Sequence, residues 1–343
     1  MSSTTAHHHS SSADPSDSFG RRGRLVVRTE PFTVASARGS LRGLAQFDPG
    51  TTASRGTVVV APPFGVATRR GQGAALYFLL NGFDVIRYDP TNHVGHSDGE
   101  IVDLTSSALV EDLGSVLRWT LGRDRGGPVA LFASSLSARL GFATLAAESW
   151  ELSAVGTISA VVDMRASIAA ANEDDYVGRW LRGERHDPDG TETIMDHRIR
   201  WRFVQDLVER DWHSAESTAR DLASMGPVPL LSVHGARDRW VDVAEAQRVL
   251  GHCERASLVV LSDAVHSLNP VSARTAMSEV VRFFRDPAGD RTGPVLVPGF
   301  DQIVAQGKAE ARLEQRDGTK PPFVDAVHQD LRGSLSTRQA TSL

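Results

Sequence analysis

Three side chains have the types and the order along the chain that nucleophilic acyl chemistry requires: Ser135, Asp238 and His266. A serine hydroxyl is a poor nucleophile unless a general base takes its proton, and histidine is the usual base. The base is in turn oriented by a third group, which is usually a carboxylate. The sequence therefore predicts a nucleophile, an orienting acid and a base in stretches that are far apart along the chain.

Short apolar runs precede these three residues and would have to bring them together. Such runs are typical of parallel strands covered on both faces, and here they alternate with helical patterns, which predicts βαβ units. The runs are GTVVVAPP (56–63), FDVIRYDP (83–90), PVALFAS (128–134), AVGTISAVV (154–162), VPLLSVHG (228–235) and ASLVVLSD (256–263). Because ligands bind at the carboxyl ends of parallel strands, we expect the three side chains to meet at that edge.

Ser135 stands where a strand run gives way to a helical pattern. In α/β-hydrolases this junction carries the nucleophile, usually within G-x-S-x-G, because the turn is tight and its flanking residues must be small. Here Ala133 and Ser137 are the small residues and both glycines are replaced. From this segment alone, a simple helix cap by Ser134 or Ser135 is an open alternative.

Asp238 and His266 each follow one of the late strand runs, and one helical pattern and one strand fill the interval between them. The order serine, acid, histidine is that of the α/β-hydrolase triad. Asp242 and Asp263 are alternative acids, and both would serve equally well as caps or turn residues. The joint order of three residues, each after a strand, favours Asp238 as the acid and His266 as the base.

An oxyanion hole is also required, because negative charge builds on the carbonyl oxygen of the substrate. One predicted donor is the backbone N–H of Leu136, the residue after the nucleophile. The second should come from the loop APPFGVATRR (61–70), in which two prolines have no N–H. Phe64 is then the first available donor and Gly65 the next, and a glycine also permits close approach of a substrate. A rigid turn is the alternative interpretation of this loop.

The predicted fold class is an α/β-hydrolase fold, with a mostly parallel central sheet, helices on both faces and an inserted helical cap. Residues 164–226 hold many charges and no strand pattern, and the strand series resumes after them, which favours a helical insertion. The predicted divisions are a disordered tail (1–23), a core in two parts (24–163 and 227–290), the cap (164–226) and a partly disordered C-terminal extension (291–343). The core is expected to open with an antiparallel strand pair.

Composition excludes several other classes of protein. The net charge of -5 and the absence of a dense basic face argue against binding of nucleic acid. No apolar run is long enough to span a bilayer and the N-terminus lacks the apolar core of a secretory signal, so we expect no membrane insertion and a cytoplasmic location. The single cysteine, Cys253, excludes an intrachain disulfide and is typical of a packing residue.

Metal and cofactor chemistry are not predicted. His93 and His96 are three residues apart, but no cysteine or carboxylate ligand set accompanies them. A structured loop below the active site is the favoured interpretation of this segment. The triplet His7, His8 and His9 belongs to a polar tail. The predicted chemistry needs no cofactor, since the serine itself carries the acyl group.

The sequence resembles the acyltransferases of bacterial bioluminescence, which release myristic acid from acyl carrier protein. The matching segments are NGFDVIRYDPTNHVGHSDG (81–99), ASSLSAR (133–139), AVVDMR (160–165), DWHSAEST (211–218), VPLLSVHGARDRWV (228–241) and DAVHSLN (263–269). In that family the acylated serine, the acid and the histidine fall on Ser135, Asp238 and His266. The oxyanion loop departs from the family, because Pro-Pro-Phe-Gly replaces small residues and glycine, and 164–210 match weakly.

The resemblance implies an acyl-ACP or acyl-CoA thioester as substrate, a possible carrier protein as partner, and a cap over an acyl-chain pocket. The expected function is a serine thioesterase or acyltransferase, and a role in secondary metabolism is one hypothesis. A carboxylesterase or acyl-chain cyclase on the same fold is an alternative, because the acyl acceptor leaves no motif. A noncatalytic hydrolase-like binding protein is another, which would keep the sheet and lose reactivity.

Overall fold

The computed structural model describes residues 25–50, 54–123, 127–184 and 187–316. The predicted tail at 1–23 and the end of the predicted C-terminal extension, from 317 onward, lie outside the described residues. The strands are β1 (Arg28–Ser36), β2 (Gly39–Phe47), β3 (Thr57–Val60), β4 (Asp84–Asp89), β5 (Val129–Ser134), β6 (Leu152–Ile158), β7 (Thr191–Ile194), β8 (His197–Arg200), β9 (Leu230–Gly235) and β10 (Ala256–Leu261).

Helices connect and cover these strands. They are α1 (Gln72–Leu80), α2 (Ser106–Leu121), α3 (Ser135–Ala147), α4 (Met164–Asn172), α5 (Tyr176–Leu181), α6 (Arg202–Glu209), α7 (Ala215–Ser224), α8 (Val243–Leu250), α9 (Pro270–Arg285) and α10 (Phe300–Arg316). Short 3-10 helices span Thr68–Gly71 and Ile101–Asp103. Several of the α-helices begin next to a residue whose side chain caps the first turn. For example, the Asn269 side chain accepts hydrogen bonds from backbone N–H groups in the first turn of α9, and proline occupies the first position of that helix.

Within the described residues, one eight-stranded sheet has the order β1-β2-β4-β3-β5-β6-β9-β10. The strand pairs from β4 to β10 are parallel, whereas β1 pairs with β2 and β2 with β4 in antiparallel orientation. The antiparallel pair at the start of the core therefore forms one edge, as the alternating pattern of its residues predicts. The mostly parallel sheet with helices around it confirms the predicted fold class.

The two faces of the sheet pack against different helices. Along β5, Leu131 packs into a core shared with α2, α3, α7 and α8, whereas the next residue, Phe132, packs into a core shared with α1 and α9. Because successive side chains of a strand point to opposite faces, a strand covered on both faces must be apolar throughout. This is why the central runs lack the alternation seen in β1 and β2.

The segment inserted between β6 and β9 contains α4 to α7 and also the hairpin β7–β8. The prediction of a wholly helical insertion with no strand was wrong at this hairpin. Ile194 and Ile199 are its buried residues, whereas the residues next to them in the two strands are partly or fully exposed. Met195 and Asp196 connect the strands with φ values of 49° and 65°. A two-residue turn of this kind usually carries Asn-Gly or Asp-Gly, and that signal is missing here.

The last helix of the described residues, α10, packs against the sheet through two buried polar side chains, Gln306 and Glu310. Glu310, 2% exposed, forms an ion pair with Arg87 of β4, 1% exposed, at 2.5 Å. The same oxygen, Oε1, accepts hydrogen bonds from Gln46 Nε2 at 2.8 Å and Gln306 Nε2 at 2.9 Å. A buried arginine in the middle of a sheet thus has its countercharge supplied from the far end of the described chain.

Removal of that countercharge should destabilise the protein strongly. We expect Glu310→Ala to lower the free energy of unfolding by about 3–5 kcal/mol, because Arg87 would remain buried without a countercharge. Glu184→Ala is the control, since its pair with Arg182 is about half exposed and screened by solvent, and it should leave the free energy of unfolding nearly unchanged. Urea unfolding measures both values. Equal small losses for the two variants would contradict the structural role given to Glu310.

Candidate active site

Ser135 occupies a strained turn at the junction of β5 and α3. Its φ is 52°, in the left-handed region that residues with side chains rarely adopt. Ala133 and Ser137 flank it, and Ser137 Oγ donates a hydrogen bond to the Pro62 carbonyl at 2.5 Å. Backbone strain of this kind costs about 1–3 kcal/mol and persists only where the surrounding fold imposes it. The turn lifts the Ser135 hydroxyl above the carboxyl ends of the strands.

The three residues selected from the sequence form a chain of hydrogen bonds with His266 in the middle. Ser135 Oγ is 2.8 Å from His266 Nε2, and His266 Nδ1 is 2.8 Å from Asp238 Oδ2. The Asp238 side chain is fully buried and that of His266 is 10% exposed. In this arrangement Nδ1–H donates to the carboxylate, which leaves Nε2 to accept the proton of the serine.

Both alternative acids have other roles. Asp242 caps α8, where its Oδ1 accepts a hydrogen bond from the Ala244 N–H at 3.0 Å. Asp263 forms an exposed ion pair with Arg237. Neither carboxylate contacts His266, so the geometry selects Asp238 among the three candidates.

The Asp238 carboxyl is held in its charged form by its hydrogen bonds. Burial raises its pKa, but the hydrogen bond and charge of His266, together with two backbone donors, outweigh burial, and the pKa lies below its ordinary value. The two backbone donors are the N–H groups of Trp240 and Val241, which are 2.8 and 3.0 Å from Oδ1. Asp238 can therefore keep a negative charge beside the imidazole.

Two further residues hold the His266 loop, and sequence reasoning missed both. The Trp240 ring lies against the imidazole, with ring centroids 4.5 Å apart. Ser159, which follows β6 with a φ of 49°, donates a hydrogen bond from Oγ to the His266 carbonyl at 3.1 Å. Trp240 could have been noticed two positions after the acid, but nothing in the sequence marks Ser159, because its role depends on the packing of two distant loops.

The predicted oxyanion donors differ in their availability. Leu136 is in the first turn of α3, where a backbone N–H has no intrahelical acceptor. The Gly65 N–H, in contrast, donates to His93 Nε2 at 2.9 Å. This bond removes Gly65 from the candidate donors, which corrects the sequence prediction. Within the described part of the chain, the Phe64 N–H donates to no protein acceptor.

His93 and His96 lie in the loop after β4. In the ranges that the structure covers, no three His, Cys, Asp or Glu side chains are placed to hold a metal ion. The backbone N–H of His96 donates to Asp89 Oδ2 at 2.9 Å, so the carboxylate of Asp89 organises this loop. Cys253 is buried, and burial raises the pKa of its thiol.

Two buried histidines should make stability depend on pH. Burial lowers the pKa of His93 and of His234 to about 4, whereas an unfolded imidazole titrates near its ordinary value of about 6.5. The unfolded chain therefore binds protons first, and the free energy of unfolding should fall as pH drops from 6.5 to 4, by about 3 kcal/mol for each histidine.

Urea unfolding of wild type and His93→Gln between pH 7 and pH 4 would measure this dependence. His93→Gln should remove about half of the histidine contribution, while the exposed His252→Gln should leave it unchanged. Identical slopes for wild type and His93→Gln would contradict a depressed pKa at His93.

Comparison with known proteins identifies the family. The sequence profile of the acyl transferase family matches residues 48–271. The chain belongs to the acyl transferase family. The acyl transferase of Photobacterium leiognathi is 31% identical over 270 residues, which cover 76% of this chain and 85% of that protein. The acyl transferase of Vibrio campbellii is 30% identical over 276 residues, covering 78% and 87%. The resemblance predicted from the sequence is confirmed.

Solved structures share the fold of this family member at low sequence identity. Est1E of Butyrivibrio proteoclasticus with bound ferulic acid superposes with a TM-score of 0.58 at 16% identity, covering 74% of this chain and 97% of that chain. The esterase Pf2001 of Pyrococcus furiosus gives 0.54 at 17% identity, covering 82% and 98%. These similarities support the α/β-hydrolase fold. Membership of the family makes acyl transfer or acyl hydrolysis the class of reaction.

None of the helices in the described residues is long and apolar enough to cross a bilayer. The longest, α10, carries Glu310 at its interface with the core and spans 17 residues with several charged side chains.

Proposed function

We propose that this protein is a serine thioesterase or acyltransferase that takes the acyl group of an acyl-ACP or acyl-CoA thioester onto Ser135. The observation that carries the proposal is the chain of hydrogen bonds from Ser135 through His266 to Asp238, on a strained turn at the carboxyl edge of the sheet. Membership of the acyl transferase family supports the same class of reaction.

In the first half of the reaction, His266 Nε2 takes the proton of Ser135 as its oxygen attacks the thioester carbonyl. Asp238 holds the imidazole in the productive tautomer and stabilises the imidazolium. The N–H groups of Leu136 and Phe64 stabilise the negative charge on the carbonyl oxygen. The tetrahedral intermediate collapses when the C–S bond breaks, and His266 gives its proton to the departing thiolate. An acyl-serine and a free thiol result.

In the second half, a nucleophile attacks the acyl-serine and His266 again takes a proton, now from that nucleophile. Water gives a free acid, whereas an alcohol or amine gives a transferred acyl group. Ser135 recovers its proton from His266 as the ester bond breaks. All charges that develop are handled by the protein's own groups, so the proposed cycle needs no cofactor.

The inserted segment at 164–226 is proposed to cover the acyl chain. Its α6 places Phe203 in the core beside Phe64 of the oxyanion loop, with ring centroids 6.0 Å apart. Asp206 of the same helix accepts hydrogen bonds from Ser106 Oγ and Ser107 Oγ at the start of α2, at 2.7 and 2.6 Å. A cover anchored in this way would exclude water from the reacting ester.

An esterase or a cyclising enzyme on the same fold would use the same residues, and the two differ from a thioesterase only in the leaving group and the acceptor. A noncatalytic binding protein is disfavoured by the intact relay, because a protein without reactivity has no need of a strained serine beside an imidazole.

A substrate panel tests the proposed function. Acyl-CoAs and acyl-ACPs of several chain lengths would be compared with simple aryl esters of the same acids, and kcat/KM measured for each. We expect higher kcat/KM for the thioesters and a dependence on chain length. Equal or better turnover of the simple esters would overturn the thioester assignment, and the absence of turnover with every substrate would favour the binding protein.

A further inference from the structure

The loop that carries the proposed second oxyanion donor has little structure of its own. It runs from Pro62 to Val66 between β3 and the 3-10 helix at Thr68–Gly71. Gly65 has a φ of 69°, which a residue with a side chain rarely adopts. The Ser137 hydroxyl holds the Pro62 carbonyl, and the Val66 N–H donates to the Pro63 carbonyl at 3.1 Å. The Phe64 N–H lies between these two contacts, and the backbone next to it is held through the N–H of Gly65.

His93 holds Gly65 from the side of the sheet. Its Nε2 accepts the Gly65 N–H at 2.9 Å, and its Nδ1 lies 3.3 Å from the Val94 carbonyl. A ring nitrogen that accepts carries no proton, so this imidazole is neutral with its hydrogen on Nδ1. Burial, with a smaller contribution from His197, lowers the pKa of His93 to about 4, which keeps the acceptor available at neutral pH. If Nε2 were protonated, its N–H would face the Gly65 N–H, and neither donor would have an acceptor.

His197, from β8 of the inserted segment, packs against Gly65. A Cβ added to Gly65 would lie only 2.1 Å from His197 Nε2 and 2.5 Å from Cδ2, so the imidazole occupies the space that a side chain would need. The Phe64 ring meets both imidazoles edge-on, with centroids 6.3 Å from His93 and 6.0 Å from His197. The loop therefore contacts both His93, in the segment after β4, and His197, in the inserted segment.

We propose that His93 is a positioning residue for the acyl-transfer reaction: by accepting the Gly65 N–H, it holds the Phe64 N–H in the oxyanion hole. This inference rests on the proposed function of Ser135. His197 contacts the same loop from the inserted segment, so the oxyanion hole is fully formed when the β7–β8 hairpin packs against this loop. His93 touches neither the substrate nor Ser135, and acts only through the backbone of the loop.

Two substitutions separate the hydrogen bond from the space that His93 fills. His93→Leu keeps bulk and loses the acceptor, whereas His93→Gln can place a carbonyl oxygen near the position of Nε2. We expect His93→Leu to lower kcat on the thioester about 100-fold, as loss of one oxyanion donor does, with KM changed by less than about threefold. His93→Gln should recover the rate to within about tenfold of wild type.

The affinity for a transition-state analogue distinguishes a role in the oxyanion hole from a purely structural role, which would not change this affinity selectively. An alkyl trifluoromethyl ketone adds the serine hydroxyl and places an oxyanion in the hole, whereas the corresponding alkyl methyl thioether binds the acyl site without reacting. His93→Leu should weaken the ketone by the same factor by which kcat/KM falls, and leave the thioether unchanged. Equal weakening of both, or no weakening of the ketone, would overturn the proposal.

Nitrogen NMR of histidine-labelled protein tests the hydrogen bond without any activity. The His93 signals, assigned by their loss in His93→Gln, should show a neutral ring protonated on Nδ1 that stays neutral down to about pH 5. A ring protonated on Nε2 at neutral pH would overturn the inference. An unreactive wild type would overturn the proposed function and this role with it, whereas a reactive wild type with an equally reactive His93→Leu would overturn this role alone.

Discussion

Replacing Ser135 by alanine is expected to lower the turnover of an acyl thioester by about 10⁴- to 10⁶-fold. The variant would lose the atom to which the acyl group is transferred, while His266 and Asp238 keep their places. Residual hydrolysis would come from the remaining oxyanion donors and from substrate binding. Steady-state kinetics with an acyl-CoA measures the loss, and a fluorophosphonate probe should label wild type but not the variant.

Ser134→Ala is the matched control for this substitution. Ser134 is the adjacent serine and precedes α3, but its side chain makes no capping hydrogen bond. Its removal should leave the rate within about threefold of wild type. A Ser135→Ala variant that keeps more than about 1% of the wild-type rate, or a Ser134→Ala variant that loses as much, would contradict the assignment of the nucleophile.

Replacing Asp238 by asparagine should lower kcat by about 10⁴-fold with little loss of stability. An amide is nearly isosteric with the carboxylate, but its NH₂ group would face His266 Nδ1 and favour the wrong tautomer, in which Nε2 carries the proton and cannot accept one from Ser135. The rate of labelling by a fluorophosphonate and the kcat for a thioester should fall together, since both depend on the activated serine.

The two alternative acids serve as controls. Asp242→Asn should retain activity, because asparagine caps a helix as well as aspartate does and Asp242 contacts only the start of α8. Asp263→Asn would break an exposed ion pair with Arg237, which is worth about 1 kcal/mol or less. Loss of activity in either control with a fully active Asp238→Asn would show that the acid had been wrongly chosen.

The α/β core could be predicted from the sequence because burial on both faces leaves a clear pattern. β5 consists almost wholly of buried apolar residues and β9 is buried throughout, and the prolines and glycine at their ends mark where they begin and end. The meeting of Ser135, Asp238 and His266 followed from topology, since each comes after a parallel strand and such strands all end at one edge. These features depend on local pattern and on chain order.

Features that depend on contacts between distant segments could not be predicted. The hairpin β7–β8 is short, and its strands become stable only because Ile194 and Ile199 are buried against the core. The hydrogen bond from Gly65 to His93 joins two loops, and nothing in the sequence of either loop indicates that they are in contact. The same is true of Glu310, whose burial is decided by the arginine that it neutralises. In each case tertiary contacts override the local signal.

The most direct test of the account is the covalent state of the enzyme during its first turnover. Wild-type protein would be mixed rapidly with a long-chain acyl-CoA, quenched with acid and digested with trypsin, and the peptide spanning 126–139 examined by mass spectrometry. We predict an acyl ester on Ser135 that forms as free thiol appears and then decays. Thiol release through the first turnover with no ester on this peptide, or with the acyl group on another residue, would contradict the account.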